Sequence, residues 1–314
     1  MYSHKVLKTR FVSGLRLLVF LWENGLRNLG TFLKFRKSLW DFEASEIVVQ
    51  KVHNSSISDS AVEYGYIQLC NSVISQPEII NKFKSNISYR RILEHLSPYQ
   101  GLLYLNLARK SQNFNKSLIA VTSIIDDIGG GEIYKYKNYG HASPTSLRYL
   151  KVYCDLIDLF GSLENFTVSE IGCGYGGQSV LIRSLFKTKH YFYFDLPEVL
   201  NLINAFLGQT SLFRNFSLID GRIPIEIKSE LVISNYAFSE LSKNLQNEYL
   251  EKVILPAKMG YITWNNLAHA SLDGYSLEEL VSMIPGSFLL KDGPSFEKET
   301  RIIVWGSVNS MKHR

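Results

Sequence analysis

A glycine-rich segment in the middle of the chain constrains the fold more than any other feature. Residues 168–179 read VSEIGCGYGGQS, in which an apolar run passes into closely spaced glycines and then into a helical pattern near Ser179. Glycines at such a junction let the backbone turn sharply and approach a ligand where the amides of a helix N-terminus point. The segment therefore predicts a strand, a ligand-binding loop and a helix.

The sequence around this segment predicts an α/β domain. Helical patterns lie between the first five strand-like runs, which is typical of a parallel sheet with crossover helices. The last two runs are separated by only ten residues, too few for a helical crossover, so we expect an antiparallel hairpin there. The predicted strands are Phe166–Ile171, Tyr191–Phe194, Phe216–Ile219, Leu231–Ser234, Gly260–Trp264, Phe288–Leu290 and Arg301–Trp305.

The chain before this domain has helical spacing from Glu63 to Arg109, which predicts an all-helical N-terminal region. Pro144 then opens a further apolar-periodic run, with Ser143 as its expected N-cap. We therefore divide the 314 residues into three parts: an arm at 1–40, a helical region at 41–140 that covers the ligands, and a ligand-binding α/β domain at 141–314.

The arm at 1–40 is the basic part of the molecule. It carries eight Lys or Arg residues against Glu23 alone, so the remaining chain has a net charge of −2 within a total of +5. A near-neutral body does not have the basic surface of a nucleic-acid-binding protein, so we predict no nucleic-acid partner.

The apolar residues between Val12 and Leu26 follow helical spacing, but Arg16 interrupts them, so an amphipathic helix fits better than a membrane span or a signal peptide. This helix either packs on the body or makes peripheral contact with an anionic membrane surface. Three widely spaced cysteines without a C-x-x-C pair indicate a reducing compartment, so we expect a cytoplasmic protein.

Two kinds of cofactor fit the glycine loop. Gly172, Gly174 and Gly177 match the dinucleotide pattern G-x-G-x-x-G, and Asp195 follows 18 residues later, where a ribose-binding acid belongs. Glu170, however, lies two residues before the first glycine, where a carboxylate would repel a pyrophosphate. S-adenosylmethionine has no phosphate, so Glu170 favours this cofactor, and an NAD(P)-dependent oxidoreductase is the alternative.

In these residues the chain resembles the class I S-adenosylmethionine-dependent methyltransferases, whose first motif is an acid, any residue and G-x-G-x-G. The segment FDLPEV at 194–199 resembles small-molecule O-methyltransferases. With SPTSLRYL at 143–150 and SNYAFSEL at 234–241, the resemblance narrows to a family of sugar O-methyltransferases from bacterial polysaccharide clusters, over roughly residues 126–305.

This resemblance implies a Rossmann-like class I methyltransferase sheet, mostly parallel with a closing antiparallel hairpin. It also implies methyl transfer to a sugar hydroxyl of a nucleotide sugar or a bacterial surface glycan. A protein that keeps the fold and binds S-adenosylmethionine without turnover is a further alternative.

The resemblance also assigns cofactor-binding residues by position. Glu170 and the loop containing Gly172, Gly174 and Gly176 would surround the methionine part of the cofactor. Asp195 would bind the ribose hydroxyls.

Three further residues at strand ends belong to the predicted site. Asp220, which ends the third strand, would lie near the adenine, or would instead be a polar turn residue before Gly221. Asn235 and Tyr236 end the fourth strand and would face the cleft at the carboxyl edge of the sheet, where open α/β sheets bind ligands.

The reaction requires positioning of a hydroxyl and removal of one proton, because the methyl group of a sulfonium is already activated. Candidate bases are His269, which follows the fifth strand, His141, which precedes the helix over the cofactor, Glu240 and Asp127. We expect His269 to accept the proton. His141 would position the acceptor together with Tyr139 and Glu240.

The pair Asn265-Asn266 ends the fifth strand where catechol-type methyltransferases carry an Asp-Asn pair for magnesium. The missing carboxylate departs from that pattern and disfavours a hard cation. We therefore predict no protein-bound metal.

Overall fold

A computed structural model of the chain describes residues 64–212, 214–265, 273–291, 293 and 300–306. The arm at 1–40, with its predicted amphipathic helix, lies outside the described residues, as do Asn266 and His269. Within the described ranges, no helix has the length and apolar character that a membrane span requires.

A seven-stranded sheet forms the centre of the structure. Its strands lie in the order β5-β4-β3-β6-β7-β9-β8, in which β3 to β7 pair in parallel and β9 pairs antiparallel with both β7 and β8. The predicted fold class and its closing antiparallel hairpin are confirmed, and each predicted strand end is within one residue of the observed end. The strands are β3 (Thr167–Ile171), β4 (His190–Asp195), β5 (Phe216–Asp220), β6 (Leu231–Asn235), β7 (Met259–Trp264), β8 (Phe288–Lys291) and β9 (Arg301–Trp305).

Helices on both faces of the sheet bury the alternating apolar side chains of the strands. Along β3, for example, Val168 belongs to one apolar cluster and Ile171 to the other. This alternation is what successive strand residues require, because their side chains point to opposite faces. The helices of this domain are α5 (Pro144–Phe160), α6 (Gly177–Leu185), α7 (Pro197–Gly208), α8 (Lys243–Tyr249), which continues into a π-helical segment (Leu250–Ile254), and α9 (Leu277–Met283).

The predicted helix between β5 and β6 is wrong, because residues 221–230 connect these strands without one. The connection returns from the edge strand β5 past two strands to β6, a lateral distance of roughly 14 Å at about 4.8 Å per strand. Ten residues span at most about 35 Å when extended but only about 15 Å as a helix. The return along and across the sheet therefore requires an extended chain.

The N-terminal region is helical over the predicted range, from Tyr64 to Ala108. Helix α1 (Tyr64–Ser72) packs against α7, and helix α3 (Pro98–Ala108) packs along α5, so this region covers one face of the sheet domain. The helical elements are α1 (Tyr64–Ser72), the 3-10 turns Pro77–Asn81 and Phe83–Ser85, α2 (Ile87–Ile92), α3 (Pro98–Ala108) and α4 (Ser117–Asp126).

A two-stranded hairpin, β1 (Tyr134–Tyr136) and β2 (Gly140–Ala142), follows the helices and was not predicted. Its strands are only three residues long, too short for a pattern of alternating polarity to reveal them. Asn138 and Gly140 have positive φ angles of 68° and 105°, which turn the chain between the strands.

Helix α5 begins where the sequence predicts. The Ser143 hydroxyl accepts a hydrogen bond from the Ser146 backbone amide at 3.1 Å, as an N-cap does. The buried Asp126, at the end of α4, accepts hydrogen bonds from the Ser143 amide at 2.9 Å and the Ser146 hydroxyl at 2.6 Å. These bonds fix the first turn of α5 against the helical region.

Candidate functional site

The loop between β3 and α6 depends on three glycines. Gly172, Gly174 and Gly176 have φ angles of 72°, 57° and 87°, a conformation that favours glycine. A Cβ atom on Gly172 would lie 1.9 Å from Cβ of Ala237, and one on Gly174 would lie 2.8 Å from Cδ1 of Leu93. The first two positions therefore require glycine both for the backbone and for the close approach of neighbouring elements.

Asp195 ends β4 and faces this loop. Its carboxylate accepts hydrogen bonds from the backbone amides of Gly174 at 2.9 Å and Leu196 at 2.8 Å. Burial raises the pKa of Asp195 to about 6, because desolvation outweighs the hydrogen bonds from the backbone. A carboxylate accepts roughly four hydrogen bonds, so Asp195 retains capacity for a ligand donor.

Glu170 lies near the carboxyl end of β3, directly before the loop. Its side chain is buried, and Oε2 accepts a 2.6 Å hydrogen bond from the Tyr191 hydroxyl on β4. Burial raises the pKa of Glu170 to about 8, although the Tyr191 bond opposes this shift. The two predicted carboxylates thus flank the glycine loop from adjacent strands.

Asn235 and Tyr236 lie at the carboxyl end of β6, which pairs in parallel with β3. Oδ1 of Asn235 is buried without a hydrogen-bond partner in the protein. Tyr236 has φ 72° and ψ −38°, a strained conformation for a bulky residue. Its amide donates to the Thr263 carbonyl at 3.0 Å, and its carbonyl accepts from the Ser239 hydroxyl at 2.6 Å. Such strain costs on the order of 1–3 kcal/mol and clusters at functional sites.

Glu240 ends the short turn that follows Tyr236, and Asn265 follows β7 at the same edge of the sheet. Nδ2 of Asn265 donates a 2.9 Å hydrogen bond to Oε1 of Glu240, and the Ser239 hydroxyl donates to Oδ1 of Asn265 at 3.3 Å. The structure therefore brings Asn235, Tyr236 and Glu240 to one edge of the sheet. Among the described residues, no three His, Cys, Asp or Glu side chains come close enough together to hold a metal ion.

Asp220 lies beside Asp195, as its Cα partner across β5 and β4. Its carboxylate, however, forms a partly exposed ion pair with Arg222 at 2.7 Å and also accepts from the Arg222 amide at 3.0 Å. The hydrogen bonds from Arg222 lower the pKa of Asp220. Asp220 thus occupies the predicted position and also makes the local bonds of a turn residue.

His141 and Tyr139 belong to the hairpin, whose strand β2 packs against α4. His141 is exposed on β2, directly opposite Lys135. The Tyr139 ring centroid lies 4.8 Å from Cζ of Arg109 and 5.5 Å from Nζ of Lys116, beyond the C-terminal end of α3.

Tyr136, which ends β1, contacts the N-terminal end of α3, because its hydroxyl donates to the Pro98 carbonyl at 3.2 Å. Gly101, in the first turn of α3, packs against Pro144 at the start of α5, whereas the Tyr139 ring lies against Arg109, directly after the last residue of α3. Asp127 is exposed directly after α4.

Several residues near the glycine loop were not predicted. Leu93 follows α2 and covers Gly174, and Glu94 accepts a 2.8 Å hydrogen bond from the Thr145 hydroxyl at the start of α5. Arg148, within the SPTSLRYL segment, lies one turn further along α5 and had no predicted role. No spacing pattern marks Leu93 and Glu94, because they lie about 80 residues before the loop in sequence.

The sheet has parallel neighbouring strands and a closing antiparallel pair. A glycine loop follows β3, and an acid ends β4. The fold is that of the Rossmann-like class I methyltransferases. No family model matches the chain, and the search of curated proteins gave no match.

Several solved structures resemble this one. A proposed sarcosine dimethylglycine methyltransferase from Galdieria sulphuraria is 19% identical, with 47% of this chain and 62% of that chain covered and a TM-score of 0.38. A proposed RNA methyltransferase from Pyrococcus horikoshii is 15% identical, with 69% and 100% covered and a TM-score of 0.39. TrmK of M. capricolum, solved with the cofactor product S-adenosylhomocysteine, is 13% identical, with 45% and 62% covered and a TM-score of 0.32.

The matched region thus spans less than two thirds of the Galdieria protein and of TrmK. These similarities concern the fold alone. The site residues, rather than the likenesses, therefore carry the functional proposal.

Proposed function

We propose that this chain is an S-adenosylmethionine-dependent O-methyltransferase that acts on a sugar hydroxyl of a nucleotide sugar or a bacterial surface glycan. The observation that carries the proposal is the pair of carboxylates at the glycine loop, Glu170 and Asp195. Asp195 suits the ribose of either cofactor, so Glu170 separates them. A pyrophosphate would oppose ionisation of the Glu170 carboxyl, whose pKa burial already raises to about 8, whereas S-adenosylmethionine brings a sulfonium and no phosphate. Glu170 therefore favours the methyltransferase over a dinucleotide-dependent oxidoreductase.

The residues at the loop fit this cofactor. Asp195 has unused acceptor capacity that suits the two ribose hydroxyls, and such charge-assisted hydrogen bonds are among the strong ones. The buried Oδ1 of Asn235 needs a donor that the protein does not provide, so a donor group on a ligand would satisfy it. When bound, S-adenosylmethionine supplies a methyl group on a positively charged sulfur.

The acceptor side of the proposal rests on the carboxyl end of β6. Asn265 donates a hydrogen bond to Glu240, and the backbone of Tyr236, four residues earlier, is fixed by its bonds to Thr263 and Ser239. A carboxylate and an amide bind sugar hydroxyls through their hydrogen-bonding groups, and Tyr236 and Glu240 belong to the SNYAFSEL segment on which the family resemblance depends. His269 is the proposed proton acceptor, and Glu240 the proposed ligand of the sugar hydroxyls.

The proposal is tested in two steps. First, the melting temperature of the full chain is measured with S-adenosylhomocysteine, NAD and NADP, because a ligand that binds only the native state stabilises it by about 2.7 kcal/mol at a concentration of 100 Kd. We expect stabilisation by S-adenosylhomocysteine alone. Stabilisation by NAD or NADP instead would identify an oxidoreductase.

Second, transfer of a labelled methyl group from S-adenosylmethionine is measured with a panel of nucleotide sugars and glycans. We expect label in a sugar ether of at least one acceptor. Cofactor binding without transfer to any acceptor in the panel would favour a binding protein that has lost turnover.

A further inference from the structure

Arg148 and Glu94 are oppositely charged side chains beside the glycine loop. Each has a buried polar atom that forms no hydrogen bond within the protein. Arg148 is only 9% exposed, and its Nε has no hydrogen-bond partner in the protein. Oε1 of Glu94 is likewise buried without a partner. The charge of Glu94 is balanced within the protein by Lys84 and Arg148, but these interactions give Nε and Oε1 no hydrogen bond. Buried polar atoms are nearly always hydrogen-bonded, so the two atoms suit a ligand that supplies both partners.

The two side chains lie where the helical region meets the candidate site. The side chain of Leu93, the residue before Glu94, packs against Gly174. Oε2 of Glu94 accepts a 2.8 Å hydrogen bond from the Thr145 hydroxyl. Arg148 comes three residues after Thr145 on α5 and so lies on the same face of that helix.

On its other side, Cζ of Arg148 lies 5.7 Å from the ring centroid of Tyr236. The pair Glu94 and Arg148 thus stands between the glycine loop and the end of β6. The remaining nearby cation, Lys84, is already engaged, because its Nζ donates a 2.6 Å hydrogen bond to the Ile125 carbonyl and lies 4.5 Å from the Tyr175 ring centroid.

We propose that Arg148 and Glu94 bind the amino-acid end of the cofactor. Arg148 binds the carboxylate of the cofactor, and Glu94 binds its ammonium group. This inference rests on the proposed function and assigns two cofactor ligands to which the sequence analysis gives no role. A zwitterion presents a carboxylate and an ammonium on one carbon atom, so a single ligand satisfies both unpaired atoms. The planar guanidinium also matches the geometry of a carboxylate.

The charges disfavour an anionic acceptor at the same place. An acidic sugar would satisfy Arg148, but it would bring a like charge towards Glu94. A neutral sugar hydroxyl can accept from Nε and donate to Oε1, but only through neutral groups. A zwitterionic ligand meets both side chains with groups of opposite charge, and such charge-assisted hydrogen bonds are roughly twice as strong as neutral ones.

The experiment compares three ligands that differ only at this end. S-adenosylhomocysteine has both groups, its decarboxylated analogue keeps the amine alone, and 5′-methylthioadenosine lacks both. Calorimetry gives the affinity of each for the full chain and for the variants Arg148→Gln and Glu94→Gln. Lys151→Gln is the matched control, because Lys151 is a buried cation on the same helix that is bonded to Tyr261 and paired with Asp155.

We expect Arg148→Gln to lower the affinity for S-adenosylhomocysteine by about tenfold to a hundredfold, the range for hydrogen bonds to charged groups. Its affinity for the decarboxylated analogue and for 5′-methylthioadenosine should change little. Glu94→Gln should lower the affinity for both amine-containing ligands and leave the affinity for 5′-methylthioadenosine unchanged. Lys151→Gln should leave the affinities of all three ligands unchanged. If Arg148→Gln does not fold, Arg148→Lys replaces it and should give an intermediate loss, since lysine keeps the charge but loses the planar contact.

Equal weakening of all three ligands would give Arg148 and Glu94 a structural role and overturn the inference. Unchanged affinity for S-adenosylhomocysteine would overturn it as well, and a raised acceptor KM in that case would assign the pair to the acceptor. If the wild-type chain binds none of the three ligands, the proposed function itself fails and takes this inference with it. Wild-type binding with unaffected variants rejects this inference alone.

Discussion

The Tyr191 hydroxyl on β4 donates a 2.6 Å hydrogen bond to Oε2 of Glu170 on β3, so the carboxylate beside the glycine loop is controlled by the neighbouring strand. Burial raises the pKa of Glu170 to about 8, and this bond limits the rise. The two residues are not opposite each other, because Glu170 is in register with Tyr193. The bond therefore runs diagonally across the sheet.

Tyr191→Phe removes this bond and leaves a buried carboxyl group with one partner fewer. We expect the free energy of unfolding to fall by about 1–3 kcal/mol, measured by urea denaturation at pH 7. Tyr89→Phe is the control, because the Tyr89 hydroxyl is buried without any partner and its removal should be neutral or stabilising. Equal losses in both variants would mean that the Tyr191 hydroxyl contributes nothing specific.

The raised pKa of Glu170 predicts how stability depends on pH. The folded state holds the proton up to about pH 8, whereas the unfolded carboxyl releases it near its ordinary pKa of 4.5. Stability from this group is therefore complete below pH 4.5 and is lost as pH rises through 8. Between pH 6.5 and 8 the free energy of unfolding should fall by about 1–2 kcal/mol. Glu170→Gln should flatten this part of the profile, and an unchanged slope would contradict the assignment.

Two glycines of the loop should differ in their tolerance of alanine. Gly172→Ala would place a Cβ 1.9 Å from Cβ of Ala237 in addition to straining the backbone, so we expect a loss of about 3 kcal/mol or more. Gly176→Ala meets only ordinary contacts, the nearest at 3.6 Å, and should lose about 1–2 kcal/mol for its left-handed conformation. Urea denaturation of both variants gives the comparison, and similar losses would show that crowding at Gly172 is unimportant.

Adjacent strands provide a matched pair for the cofactor site. Asp195→Asn should lower the affinity for S-adenosylhomocysteine by about tenfold to a hundredfold, since it removes a charged group that can accept hydrogen bonds from the ribose hydroxyls. Asp220→Asn should change this affinity by no more than about threefold, because the Asp220 carboxylate is already bonded to Arg222 at a partly exposed position. Calorimetry on both variants decides, and a large loss for Asp220→Asn would restore its role near the adenine.

The strands were predictable because each is a short apolar run bounded by turn-forming residues. Leu231–Asn235, buried on both faces over most of its length, is an example of what a central parallel strand requires. The missing helix at 221–230 was not predictable from the same pattern. The extended path there follows from the distance between β5 and β6, which depends on the order of strands in the sheet.

The same distinction applies to the site. Glu170, Asp195 and Asn235 could be predicted as candidates because each stands near the end of a strand, and parallel strands bring such ends to one edge. Leu93, Glu94 and the bond from Tyr191 depend on how distant segments pack, and no local spacing contains that information. The contact of the Tyr139 ring with Arg109 after the end of α3 is of the same kind, because the two residues lie 30 positions apart in sequence.

The proton acceptor is the most consequential prediction. His269 lies outside the described residues, His141 is exposed on the hairpin, and Glu240 is bonded to Asn265 at the carboxyl edge of the sheet. A positioned base contributes about a hundredfold to ten-thousandfold to turnover. We expect His269→Ala to lower kcat by that factor with unchanged affinity for S-adenosylhomocysteine, measured with one authentic glycan acceptor.

Glu240→Gln and Asn265→Ala separate the acid-base role from sugar binding. If Glu240 binds the sugar hydroxyls, both variants should raise the acceptor KM while kcat changes little, because Asn265 holds the Glu240 carboxylate in place. If kcat falls instead and the two histidine variants, His269→Ala and His141→Ala, retain turnover within a few-fold, Glu240 is the base and the histidine hypothesis is wrong. A loss of cofactor affinity in His269→Ala would move that residue to the cofactor side of the site and also reject it as the proton acceptor.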